Sequence, residues 1–148
     1  MIKFNLFKQS KGYCGPASLR MVLSAYGIKK SEDYLAKLAK TTRKKGTSEK
    51  NLVKAAKKLG FKGSVKQKST IKELKKLVKK SIPAIVGWTS PEEGGHYSVV
   101  AGFEKNKILL ADPHFGKIKK HDIKWFKERW GEVVNKKRLF QEIIVIKK

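Results

Sequence analysis

"KQSKGYCGPASLRMVLSAYG", residues 8–27, contains the one cysteine of a 148-residue chain. Cys14 follows Gly12 and directly precedes Gly15-Pro16, at the head of an apolar-rich segment. Proline suits the first turn of a helix, where its missing N–H costs nothing, and Gly27 is placed to end that helix. The pattern predicts a helix from Cys14 to Tyr26. Ala17, Leu19, Met21, Val22, Leu23 and Ala25 put apolar groups nearly all round it, so it should be buried. A helix N-terminus favours a thiolate through its dipole and its unpaired N–H groups. A plainer reading stands beside this one, because Cys14, Ala17 and Met21 share a helical face and the thiol could simply be packed. Chemistry would require a base, a group to orient it and a donor for an oxyanion.

Further along, Ser31 caps a second helix, with Glu32 and Asp33 at its positive end. Ser48 opens a third that Gly60 closes. In a fourth, Thr70 and Glu73 have capping-box spacing, and Ile71, Leu74, Leu77 and Val78 form an apolar stripe. The period then changes. "PAIVGW" (83–88), "HYSVVAGF" (96–103), "KILLADP" (107–113) and "RLFQEIIVI" (138–146) read as strands. "DIKWFKERWG" (122–131) reads as a short helix capped by Asp122. Helices first and an antiparallel sheet second make an α+β layout. No linker interrupts it, so residues 1–148 are expected to form one domain whose two layers share one core.

Charge narrows the partners. Thirty-six basic against twelve acidic side chains leave a net +24. Such a field attracts polyanions: nucleic acid, an anionic membrane surface or acidic peptides. Yet only Arg20, Arg43, Arg129 and Arg138 are arginines, and lysines are spread along every segment. Arginine forks usually read phosphates and base edges, so solvated helix faces are favoured over a nucleic-acid or membrane footprint. A lone cysteine excludes an internal disulfide. The N-terminus lacks a signal-peptide core, and "IPAIVGW" and "EIIVI" are too short to cross a bilayer. A cytoplasmic protein without a transmembrane segment is expected.

The base would come from three histidines. His96 stands at the mouth of a strand after two glycines; His114 follows a turn, and His121 sits among lysines, and both are expected to matter little. Asp112 closes "KILLADP", although an Asp before Pro is also a common turn starter. A hairpin about "EKN" (104–106) would bring Asp112 near His96, since both lie at the ends remote from that turn. Gln9, shortly before the thiol, is the candidate amide for the oxyanion, together with the Cys14 N–H.

In order along the chain, "QSKGYCGPASLRMVL", "GTSEKNLVKAAKKLGF", "IPAIVGW", "GGHYSVVAGF" and "ILLADPHFGK" resemble the bacteriocin-processing cysteine peptidases, which cut double-glycine leader peptides. The resemblance covers nearly the whole chain. It implies a papain-like fold, with Cys14 as nucleophile, His96 as general base, Asp112 orienting the imidazole and Gln9 in the oxyanion hole. It implies no metal or cofactor. The substrate it implies is a peptide or protein cut after small residues such as Gly-Gly, and the basic surface would favour an acidic segment. The family's glutamine commonly lies one residue further from the cysteine. Many relatives precede an export ABC transporter, whereas no membrane segment follows here, so a stand-alone peptidase is expected. Two other readings are a catalytically silent papain-like module for an anionic partner, and a transpeptidase or transglutaminase-like acyl transferase.

Overall fold

Four side chains start four of the five helices. In the computed structural model the hydroxyls of Ser31, Ser48 and Thr70 accept the backbone N–H of Tyr34, Asn51 and Glu73. An oxygen of Asp122 accepts that of Lys124 in the same way. These residues open α2 (Glu32–Leu38), α3 (Glu49–Lys58), α4 (Ile71–Lys79) and α5 (Ile123–Trp130), while α1 spans Cys14–Ala25. The strands are β1 (Lys62–Lys66), β2 (Ala84–Ser90), β3 (Gly94–Glu104), β4 (Lys107–Asp112), β5 (Lys117–Asp122), β6 (Val133–Val134), β7 (Lys137–Arg138) and β8 (Ile143–Lys147). The structure describes residues 1–131 and 141–148, and of the stretch between them only the backbone of β6 and β7.

The fold is α+β. Six antiparallel strands run in the order β1-β8-β2-β3-β4-β5. Two of these, β1 and β5, were not foreseen. Both are edge strands rich in lysine, and neither carries the apolar alternation that marks a strand in sequence. The last strand is shorter than "RLFQEIIVI" suggests. It begins at Ile143, after Gln141 at φ +47, and residues 139 and 140 lie outside those described.

The single shared core is corrected to two. Leu19, Met21, Val22, Leu23, Leu35, Leu52, Ala55 and Ala56 of α1–α3 pack on Ile85, Val99, Ala111 and Ile144. On the opposite face Leu74, Phe126 and Trp130 of α4 and α5 pack on Val86, Trp88, Val100, Leu110 and Ile143. A sheet covered on both faces needs strands apolar on both sides, which is why "AIVGW" and "KILLA" are continuous runs instead of alternating ones.

A one-residue slip in the sheet positions the acid. The two-residue turn Lys105–Asn106 sets Glu104 against Lys107, then Phe103 against Ile108 and Gly102 against Leu109. Ala101 is then passed over, and Val100 pairs with Leu110. Without that bulge Asp112 would face Val99, whose side chain belongs to the α1–α3 core. With it, Asp112 lies two residues beyond Leu110, on the face shared by Val100, Trp88 and His96.

Two glycines frame the start of α1. Gly12 has φ +78, and a Cβ there would lie 2.2 Å from the Arg43 carbonyl oxygen. A Cβ on Gly15 would lie 2.8 Å from the Thr47 Oγ1. The 41–47 segment thus rests directly on the backbone around Cys14, and Tyr97 of β3 ties it to the sheet through a 2.9 Å hydrogen bond to the Thr47 carbonyl. Gly12→Ala should destabilise the protein by about 1–3 kcal/mol, from the positive φ and the collision together. Urea denaturation checks this, and an unchanged midpoint would mean the segment yields without cost.

Candidate active site

α1 begins unlike the other helices. Its N-cap is Tyr13, and no side chain accepts the N–H groups of its first turn, whereas each of the other four helices has a side-chain cap among the described residues. An aromatic N-cap is the sequence signal for this, and it was overlooked. The free donors sit at the positive end of the helix dipole, beside Cys14, which is partly exposed.

The segment leading into α1 is held at Gln9, Ser10, Lys11 and Tyr13. The Gln9 N–H donates to the Pro113 carbonyl at 2.8 Å. Glu32 accepts from both the backbone N–H and the hydroxyl of Ser10, at 2.9 and 2.6 Å. Arg43 donates to the Ser10 hydroxyl and the Lys11 carbonyl, and its guanidinium lies 4.0 Å from the Tyr13 ring centre.

His96 and Asp112 form the buried polar centre. The imidazole Nε2 donates to the Asp112 Oδ1 at 2.7 Å, with side chains 0% and 1% exposed. Trp88 lies directly across the ladder from His96 with ring centres 6.1 Å apart, and its own N–H is satisfied by Ser98 at 3.0 Å. The other imidazole nitrogen, Nδ1, is buried and makes no hydrogen bond. An unpaired buried nitrogen costs on the order of 1–3 kcal/mol, and such a cost is tolerated where the atom has a partner in chemistry. Cys14 is that neighbour. The thiol stands close enough to raise the pKa of the ring, although the contact is not a formed hydrogen bond. Burial by itself would discharge the imidazolium, but Asp112 and then Cys14 outweigh it and push the ring up to about 9.

The four residues singled out in the sequence therefore fall in two groups. Cys14, His96 and Asp112 converge. Gln9 sits at the rim: its Nε2 lies 3.3 Å from the Ser10 carbonyl and 3.5 Å from a Glu93 oxygen, while its Oε1 is buried without a partner. The other histidines are closer to the site than expected. The His114 N–H donates to the Asp112 Oδ1 at 3.0 Å, and its ring pairs with Glu93 at 2.8 Å. His121 stacks on Trp125, with ring centres 4.6 Å apart, and burial lowers its pKa. Glu93 was missed, although "PEEGG" places two adjacent acids in an acid-poor chain just before His96.

The model of the Peptidase C39 family matches residues 3–135. The transport/processing ATP-binding protein ComA of Streptococcus pneumoniae is 37% identical over 122 residues, which are 81% of this chain but 16% of that protein. The peptidase domain of a Streptococcus ComA superposes with a TM-score of 0.80 over 98% of both chains, at 28% identity. A double glycine motif protease from an AMS/PCAT transporter, solved with its leader peptide, shares the fold at 23% identity, with a TM-score of 0.76 over 99% of this chain and 92% of that one. The architecture is that of these papain-like domains. Among the described residues, no helix is long and apolar enough to cross a membrane.

The electrostatics give a direct test. His96 should titrate near 9 by NMR. In Cys14→Ser the thiol's raising contribution disappears, so the titration should move down while Asp112 still supports it. An unchanged value would mean that the thiol does not face the ring.

Proposed function

Because the chain belongs to the Peptidase C39 family, we propose that it is an active cysteine peptidase using Cys14, His96, Asp112 and Gln9, with residues 1–148 forming one peptidase domain. The observation that carries this reading is the His96 ring, bonded to Asp112 through Nε2 with Nδ1 buried and left for the thiol.

The Cys14 proton passes to His96 Nδ1, giving a thiolate beside an imidazolium. The sulfur attacks the scissile carbonyl carbon, and the negative charge moves to the carbonyl oxygen. The uncapped N–H of Cys14 and the Gln9 amide stabilise that oxyanion. As the C–N bond breaks, His96 gives its proton to the leaving amine, and a thioester remains on Cys14. His96 then takes a proton from water, whose oxygen attacks the thioester, and the collapse releases a carboxylic acid and returns the thiol. Asp112 accepts from Nε2 throughout and keeps the ring turned toward the sulfur.

The substrate class follows the relatives. A structural neighbour is a double glycine motif protease bound to a leader peptide. We extend that to this chain: a peptide with small residues before the cut, Gly-Gly among them. A net charge of +24 draws acidic segments toward the surface by long-range attraction.

The thiol itself is the first probe. Iodoacetamide should alkylate Cys14 in the folded protein, and His96→Ala should slow that reaction. A thiol inert at every pH until denaturation would make Cys14 a packed residue and end the peptidase reading. With a Gly-Gly peptide, Cys14→Ala should lose turnover yet unfold at the same urea concentration. Gln9→Ala should lower kcat by roughly 10²–10³-fold. Asp112→Asn should retain weak activity, because an amide oxygen can still orient the ring, and full activity would remove Asp112 from the site.

A further inference from the structure

Three segments meet at the rim, and Glu93 joins them. Its backbone N–H is held by the Ser90 hydroxyl at 3.0 Å, which fixes the β2–β3 turn. One carboxylate oxygen pairs with His114 Nδ1 at 2.8 Å, and the other lies 3.5 Å from Gln9 Nε2. His114 is in turn bound through its backbone N–H to Asp112, the acceptor of His96. A continuous path therefore runs from Gln9 through Glu93 and His114 to Asp112 and His96.

The Gln9 amide has a choice of two orientations. Its two ends have nearly the same shape, so hydrogen-bond partners and charge decide which faces outward. As it stands, the NH2 meets the Ser10 carbonyl and the Glu93 carboxylate, and Oε1 is buried with no donor. No bond to the oxygen therefore selects this orientation. Turned around, Oε1 would face two acceptors, one of them negatively charged.

We propose that Glu93, anchored by His114, is a positioning residue that sets the flip of the Gln9 amide and keeps its donor end outward. Only that end can stabilise an oxyanion, which takes over one of the two N–H groups from the Ser10 carbonyl or Glu93 as it forms. The inference rests on Gln9 as oxyanion donor, as argued above.

The test is a cycle of variants assayed on an activated ester, N-acetyl-Gly-Gly p-nitrophenyl ester, with thermal unfolding run in parallel. Glu93→Lys reverses the charge facing the amide, so kcat should fall toward that of Gln9→Ala, roughly 10²–10³-fold. KM should stay nearly constant. Glu93→Gln, which is nearly isosteric, should fold like the parent and lose less. In the Gln9→Ala background neither change at position 93 should lower kcat further, because nothing remains for Glu93 to orient. Equal losses in both backgrounds would overturn the proposal, since Glu93 would then act elsewhere. No loss in the parent would overturn it too. Two other results are separable from these. A Gln9→Ala variant as fast as the parent would refute Gln9 as oxyanion donor, and a parent no faster than Cys14→Ala would refute the peptidase reading itself.

Discussion

Between Val100 and Gly102 the β3–β4 ladder slips by one residue, and through that slip Asp112 comes to share a face with His96. The side-chain period of a strand is two, so a single extra residue exchanges the two faces of everything beyond it. On the face it now occupies, Asp112 is buried beside His96 and close to the wall of Trp88. There the 2.7 Å bond to His96 is poorly screened by water. The raised pKa of the ring follows, and so does the geometry that leaves Nδ1 for Cys14.

The thiol reaches that ring from a helix in the other layer. α1 packs with α2 and α3 against one face of the sheet, while Trp88 belongs to the core on the other. The site therefore needs both cores. The link is the short run from Gln9 to Tyr13, which is held by hydrogen bonds to Pro113, Glu32 and Arg43. Gly12 and Gly15 allow this close packing because a side chain at either position would strike Arg43 or Thr47. The glycines around the cysteine are thus explained by backbone approach as much as by helix punctuation.

In a chain with three times as many basic as acidic side chains, the placement of the acids carries much of the organisation. Glu32 holds Ser10, Asp112 holds His96 and the His114 N–H, Glu93 pairs with His114, and Asp122 caps α5. The lysines largely remain on the surface as solvated charge. The specific hydrogen bonding near the site is left to these few carboxylates.

The α+β layout and most helix starts were legible from local signals, and of the four candidates picked out there Cys14, His96 and Asp112 converge while Gln9 stands apart. Caps, proline and glycine positions and apolar periods act within a few residues, so one dimension suffices to read them. The hairpin argument about Glu104–Asn106 also brought Asp112 toward His96, whereas the chain turns at Lys105–Asn106 and reaches that face only through the bulge. Beyond the bulge at Ala101, Val99 fills one core and Val100 the other, and no local pattern encodes where the ladder slips. The edge strands β1 and β5 were silent for a similar reason: pairing with β8 and β4 makes them strands, against their lysine-rich composition. Glu93 and His114 join the site only because separate turns meet there. Sequence determined the chemistry that each segment could offer, and tertiary structure decided which groups face one another, because contacts between distant segments depend on register and burial.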